Sequence, residues 1–170
     1  MSINERSEPA GWLFQIAPAP GESFGHYLGR FRRANCLSRI GLAEFLATDV
    51  RVVRGWEMPS LGQSLSAVEL AKVATLLGLS VVELREMLPE ERSKPHLATR
   101  LCPRCYADRP VHQRDWQRAD LAQCQWHAQP LLAACSVCGS GFRLPALWEN
   151  GCCEQCWLPF REMVTAHPAE

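Results

Sequence analysis

Eight of the nine cysteines fall between Cys102 and Cys156, six of them in Cys-x2-Cys pairs and a seventh, Cys124, paired at the same spacing with His127. Cys102-Pro-Arg-Cys105 is followed, eighteen residues on, by Cys124-Gln-Trp-His127. Cys135-Ser-Val-Cys138 is followed, fourteen residues on, by Cys153-Glu-Gln-Cys156. Ligands two residues apart on a tight turn can converge on one ion, and a second such pair closes a tetrahedron; thiolate and imidazole donors suit zinc. The order of the half-sites predicts one site from Cys102, Cys105, Cys124 and His127, and a second from Cys135, Cys138, Cys153 and Cys156. An interleaved cross-brace is the alternative. Cys152 could replace Cys153, but Cys153-x-x-Cys156 repeats the two-residue knuckle. His112 has no partner at knuckle spacing and reads as structural. Four protein ligands leave no open position for an activated water, so both Zn2+ are expected to be structural. Structural zinc contributes roughly 10 to 16 kcal/mol against a net domain stability of about 5 to 15 kcal/mol, so this half should unfold without metal.

Paired cysteines in a chain with a polar start, Met1 to Ala10, and no apolar run near the ~20 residues that cross a bilayer point to a reducing cytoplasm, with no membrane partner. Enzyme motifs are missing or misplaced. No histidine is followed two places on by glutamate, as a zinc deaminase requires, and neither His-Glu-x-x-His nor a phosphate loop occurs. Gly21-Glu22-Ser23-Phe24-Gly25 matches a nucleophile elbow in letters, but Pro18-Ala19-Pro20 makes a poor strand before it, and Ser23 reads better as a helix cap. A nonenzymatic binding protein is expected.

The elements that must carry these ligands divide into two kinds. Residues 1–20 form a proline-rich lead with the apolar anchor Trp12-Leu13-Phe14. Residues 21–89 read as a helix-turn-helix domain, 90–99 as a linker, 100–160 as a tandem zinc-finger domain and 161–170 as a tail. The fold class is therefore mainly α with small zinc-ribbon modules. Ser23 is expected to cap a helix bearing Phe24, Leu28 and Phe31. Ser38 should cap one bearing Leu42, Phe45 and Leu46, and Thr48-Asp49 should start one turning Val50, Val53 and Trp56 or their neighbours inward. Ser66-x-x-Glu69 and Ser80-x-x-Glu83 are capping boxes. Arg51 and Arg54 lie where a helix-turn-helix reader contacts DNA, and Arg104 and Arg114 lie among aromatics near the first zinc site; each is a candidate nucleic-acid contact or a solvated charge. The formal net charge is zero, so the chain is not polybasic overall, and any nucleic-acid recognition is expected to rest on local patches. Trp12 and Phe14 are candidate partner anchors, unless the lead docks on its own domain.

Taken in order, Pro20-Gly21-Glu22-Ser23, Tyr27-Leu28-x-Arg30, Cys102-x2-Cys105, His112, Trp116, Cys124-x2-His127, Leu131-Leu132 and Cys135-x2-Cys138-Gly139 resemble the TniQ family of transposition target-selection proteins. The form is compact, similar to that of type V-K CRISPR-associated transposons, without the long carboxy-terminal region of larger relatives. The resemblance implies a noncatalytic adaptor that joins a nuclease-dead RNA-guided effector, with its guide and tracrRNA, to the AAA+ ATPase TnsC, and so recruits the transposase, reaching target DNA through the assembly. It further implies that the helical half and its lead meet TnsC while the arginine-rich zinc half meets RNA, DNA or the effector. A zinc-containing helix-turn-helix transcription regulator is the alternative function.

Overall fold

The computed structural model describes residues 11–58, 64–90, 93–144 and 151–163. Ser23 caps α1 (Phe24–Ala34), its side chain accepting from the His26 amide at 3.4 Å, and the periodic Phe24, Tyr27, Leu28 and Phe31 are buried. Ser38 caps α2 (Arg39–Leu46) and Asp49 caps α3 (Val50–Glu57). Both expected capping boxes are present, on α4 (Ala67–Leu77) and α5 (Val81–Glu86), where Glu69 and Glu83 accept from the cap amides at 2.7 and 2.8 Å. Gly78 ends α4 at φ 69°, a conformation that glycine takes without strain. Two expected core residues lie elsewhere. Phe45 is 62% exposed, because Leu42 and Leu46, one turn apart, already fill the inward face of this short helix; Val50, at the first turn of α3, is exposed too.

The described part of the lead, from Gly11 on, docks on this bundle. Trp12 donates from Nε1 to the Leu76 carbonyl at 2.5 Å and stands edge-on to Phe31 and Phe45, at 5.2 and 5.1 Å between ring centres. Asn35 clips the Phe14 main chain from both sides, accepting from its amide at 3.1 Å and donating to its carbonyl at 2.9 Å. Glu57, fully buried at the end of α3, accepts from the Nε atoms of both Arg32 and Arg39, and thereby ties α1, α2 and α3 through one carboxylate.

Among the described residues, the second half holds α6 (Pro103–Asp108), 3-10 turns at Arg114–Gln117 and Phe160–Glu162, and paired extended segments around Leu101, Trp116, Leu144, Phe160 and Met163. Residues read as linker run along it: the His96 amide donates to the Gln117 carbonyl at 2.6 Å, and Ala119 to Lys94 at 2.8 Å. Arg100 is buried and donates to the carbonyls of Trp116 and Arg118. No helix among the described residues is long and apolar enough to cross a membrane.

The halves meet along a seam of main-chain hydrogen bonds. Ser23 N donates to His112 O at 2.9 Å and Arg114 N to Gly21 O at 2.8 Å, with Glu22 and Gln113 paired antiparallel between them. Beneath the seam Glu22 is fully buried; it accepts from His26 Nδ1 at 2.5 Å, from Arg30 Nε at 2.8 Å and Nη2 at 2.6 Å, and from the Ala19 amide at 2.8 Å. Burial pushes this carboxyl up, but the donors outweigh it and hold it below its ordinary value. Gly25 permits the close approach: a Cβ there would lie 2.9 Å from the Trp56 carbonyl and 2.7 Å from Leu144 Cδ1. Ser23 Oγ also lies 2.8 Å from Nδ1 of His112, which is fully buried against Trp116.

Two outcomes follow from these buried groups. Glu57→Ala strips two partly buried guanidinium groups of their partner and should lower the unfolding free energy by about 3 kcal/mol, read by urea denaturation of metal-loaded protein. Burial, with the neighbouring His26 ring adding to it, pushes His112 down to about 3. From about pH 6.5 downward the unfolded chain therefore binds a proton that the folded chain refuses, so the stability is complete above that pH and is lost as pH falls toward 3. The loss is at most about 1.4 kcal/mol per pH unit; urea unfolding from about pH 7 to about pH 5 should give His112→Asn the shallower pH slope, with metal-linked losses common to both proteins.

Candidate metal centres

Three of the four half-sites are copies of one hairpin. In each, the first ligand's amide donates to the carbonyl five residues on, Cys124 to Gln129 at 2.8 Å, Cys135 to Ser140 at 2.9 Å and Cys153 to Leu158 at 2.8 Å. The amide four residues on returns to the first ligand's carbonyl, from Ala128, Gly139 and Trp157. The flanking residues pair in the same register, Gln123 with Pro130, Ala134 with Gly141 and Cys152 with Pro159. This register puts Cys153 where Cys124 and Cys135 stand and turns Cys152 into the strand before the knuckle. The remaining half-site is built differently: Cys102 is the N-cap of α6, Pro103 takes the first helical position, and Cys105 follows in the first turn.

Cys102, Cys105, Cys124 and His127 converge, as do Cys135, Cys138, Cys153 and Cys156, with all ligand atoms of each set within 4.8 Å of one another. The pairing is sequential, without cross-bracing. At the first centre Nδ1 of His127 lies 3.5, 3.3 and 3.6 Å from the sulfurs of Cys102, Cys105 and Cys124, so Nδ1 is the inward nitrogen. At the second, Cys135 and Cys156 are 3.5 Å apart, and so are Cys138 and Cys153. These spacings approach the ~3.8 Å edge of a tetrahedron with metal–sulfur bonds of about 2.3 Å, and they far exceed the ~2.05 Å of a disulfide. The donor sets, three thiolates with an imidazole and four thiolates, fit a borderline or soft divalent ion. Burial pushes the Cys102 and Cys105 thiols up, so ion binding there must displace protons.

The TniQ family model matches residues 13–131, well over half of the chain. The chain belongs to the TniQ family. The matched stretch holds the seam and every ligand of the first centre, while the second centre lies beyond its end. No curated protein matches the chain significantly. TniQ membership carries a role in selecting targets for DNA transposition, and two metal-competent clusters accompany that role here.

Other candidate residues of this TniQ protein are scattered. Arg51 is exposed but folded back on Asp49, with Nη2 2.8 Å from Oδ2, and it holds that carboxyl down to about 2. Arg54 and Arg104 are exposed. Arg114 donates to the Glu86 carbonyl at 2.9 Å and pairs with Asp115, which makes it part of the seam. Arg30 and Arg32, both in α1, face Glu22 and Glu57. The Glu22–His26–Arg30 group was not anticipated from sequence, although the four-residue spacing that runs from Glu22, just before the cap, to His26 and Arg30 on one face of α1 was there to be seen.

Metal counting tests the ligand sets. Elemental analysis of purified protein should find two ions per chain, falling to one in Cys153→Ser and remaining at two in Cys152→Ser.

Proposed function

We propose that this TniQ protein is a noncatalytic cytoplasmic adaptor of RNA-guided transposition, folded around two structural Zn2+. It links the nuclease-dead effector, carrying guide and tracrRNA, to the AAA+ ATPase TnsC, and reaches target DNA through that assembly. What supports the reading, beside family membership, is the way the lead is held. Trp12 is anchored on α1, α2 and α4, against the ring of Phe45, and Asn35 holds the Phe14 main chain, so that the side chains of Leu13 and Phe14 are presented at the surface. Fixed apolar side chains lose little freedom on binding, which favours them as anchors for a partner. In this reading Trp12 positions the patch and Phe14 touches TnsC. Arg54 and Arg104, both exposed, are the stronger candidates for nucleic-acid contact; Arg51 and Arg114 already hold Asp49 and the Glu86 carbonyl.

Sedimentation with TnsC and ATP tests this function. Phe14→Ala should weaken co-sedimentation by about tenfold, the scale of a single interface anchor, with an unchanged melting temperature because the ring is 52% exposed. Undiminished capture removes the lead from the interface. Tight binding of one defined duplex by the isolated protein, steeply lost with salt, favours a transcription regulator instead.

A further inference from the structure

Each knuckle hairpin places the residue after its last ligand in the left-handed region: Ala128 at φ 49°, Gly139 at 72° and Trp157 at 62°. Glycine takes this conformation freely, and a bulky side chain is strained in it. The hairpin imposes the strain, since Trp157 N donates to Cys153 O at 2.9 Å as Gly139 N does to Cys135 O at 3.0 Å. Packing does not offset it, because Trp157 is 67% exposed. Val137, 71% exposed, lies between Cys135 and Cys138 on the facing hairpin of the same centre, where the Cys135 and Cys156 sulfurs are 3.5 Å apart.

The charge beneath these side chains narrows the choice of partner. A divalent ion with four thiolates carries a net charge of about minus two. Glu154 adds nothing uncompensated, being paired with Arg143 at 2.6 Å. An anionic base repels phosphate, so base stacking by Trp157 on a nucleic acid is disfavoured, whereas aromatic tips over such a base suit an apolar protein pocket with a basic rim. We propose that Trp157, with Val137 on the facing hairpin of the same centre, is a docking tip for a polypeptide presenting an apolar pocket rimmed by lysine or arginine.

The occupant follows from the adaptor reading, on which this inference rests. α1 is about 16 Å long; its carboxy-terminal end carries the lead through Phe31 and Asn35, and its amino-terminal end meets the metal-binding half through Ser23 and Gly25. The Trp12–Phe14 anchor and the metal-binding half thus sit at opposite ends of one helix. With the lead on TnsC, the tip meets the polypeptide of the effector.

Trp157→Gly is the discriminating variant, because it deletes the ring and relieves the backbone at once. Titration of metal-loaded full-length protein with RNA-free effector polypeptide should show affinity reduced about tenfold or more. The melting temperature should be equal to or above that of the wild type, with two bound ions and TnsC capture unchanged. Trp157→Asn, which also tolerates positive φ, should reproduce the loss. Unchanged affinity overturns the inference, and so does an equal loss for guide RNA without protein, which marks a stacking surface. Wild-type protein that binds neither effector nor TnsC overturns the adaptor reading and this inference together; wild-type binding that the variant leaves intact overturns the inference alone.

Discussion

Four sulfurs, or three and a ring nitrogen, packed within 4.8 Å repel one another once ionised, and a cation between them turns that repulsion into attachment. The second half of the molecule is organised by this constraint. Among the described residues its hairpins are short, its apolar cluster counts ligand cysteines among its members, and its paired segments are single bridges rather than extended sheet. So little regular structure cannot fix a fold unaided, whereas a coordinated ion fixes four residues at once. The amino-terminal bundle needs no such device, because α1 to α5 bury a continuous cluster from Phe24 to Met87.

Buried carboxylates do in the bundle what ions do in the other half. Glu57 gathers three helices, and Glu22 gathers the lead, α1 and the approach to the seam. Each lies away from water, so each must collect donors, and the donors come from different parts of the chain. The residues that carry the family resemblance at the amino terminus, Pro20 to Ser23 and Tyr27 to Arg30, are those that build this junction. Their meaning is architectural: they hold the helix-turn-helix half to the metal-binding half.

Much of this was legible in the sequence because it is local. Capping serines, capping boxes, the Gly78 stop and the two-residue knuckles depend on neighbours within five positions, and the structure places all of them. Cys153 rather than Cys152 followed from knuckle spacing, and the hairpin register supplies the reason. What was not legible depends on distant partners. Arg30, Arg32, Arg100 and Arg114 look alike as letters; their roles are set by a carboxylate eight residues back, a helix end 25 residues on and carbonyls across the chain. Phe45 and Val50 followed apolar periodicity in helices too short for every apolar residue to reach the core. That a left-handed position recurs in three hairpins, once under a tryptophan, is invisible until φ is known.

The seam has one more consequence. Main-chain atoms on both sides make it, at Gly21, Ser23, His112 and Arg114, and the Glu22–Arg30 pair braces it from below. Two modules tied in this way form a strut of fixed length, whereas a flexible tether lets its ends wander. Objects seated at its two extremities are held at one separation and one relative orientation, so the second arrives without a fresh orientational penalty.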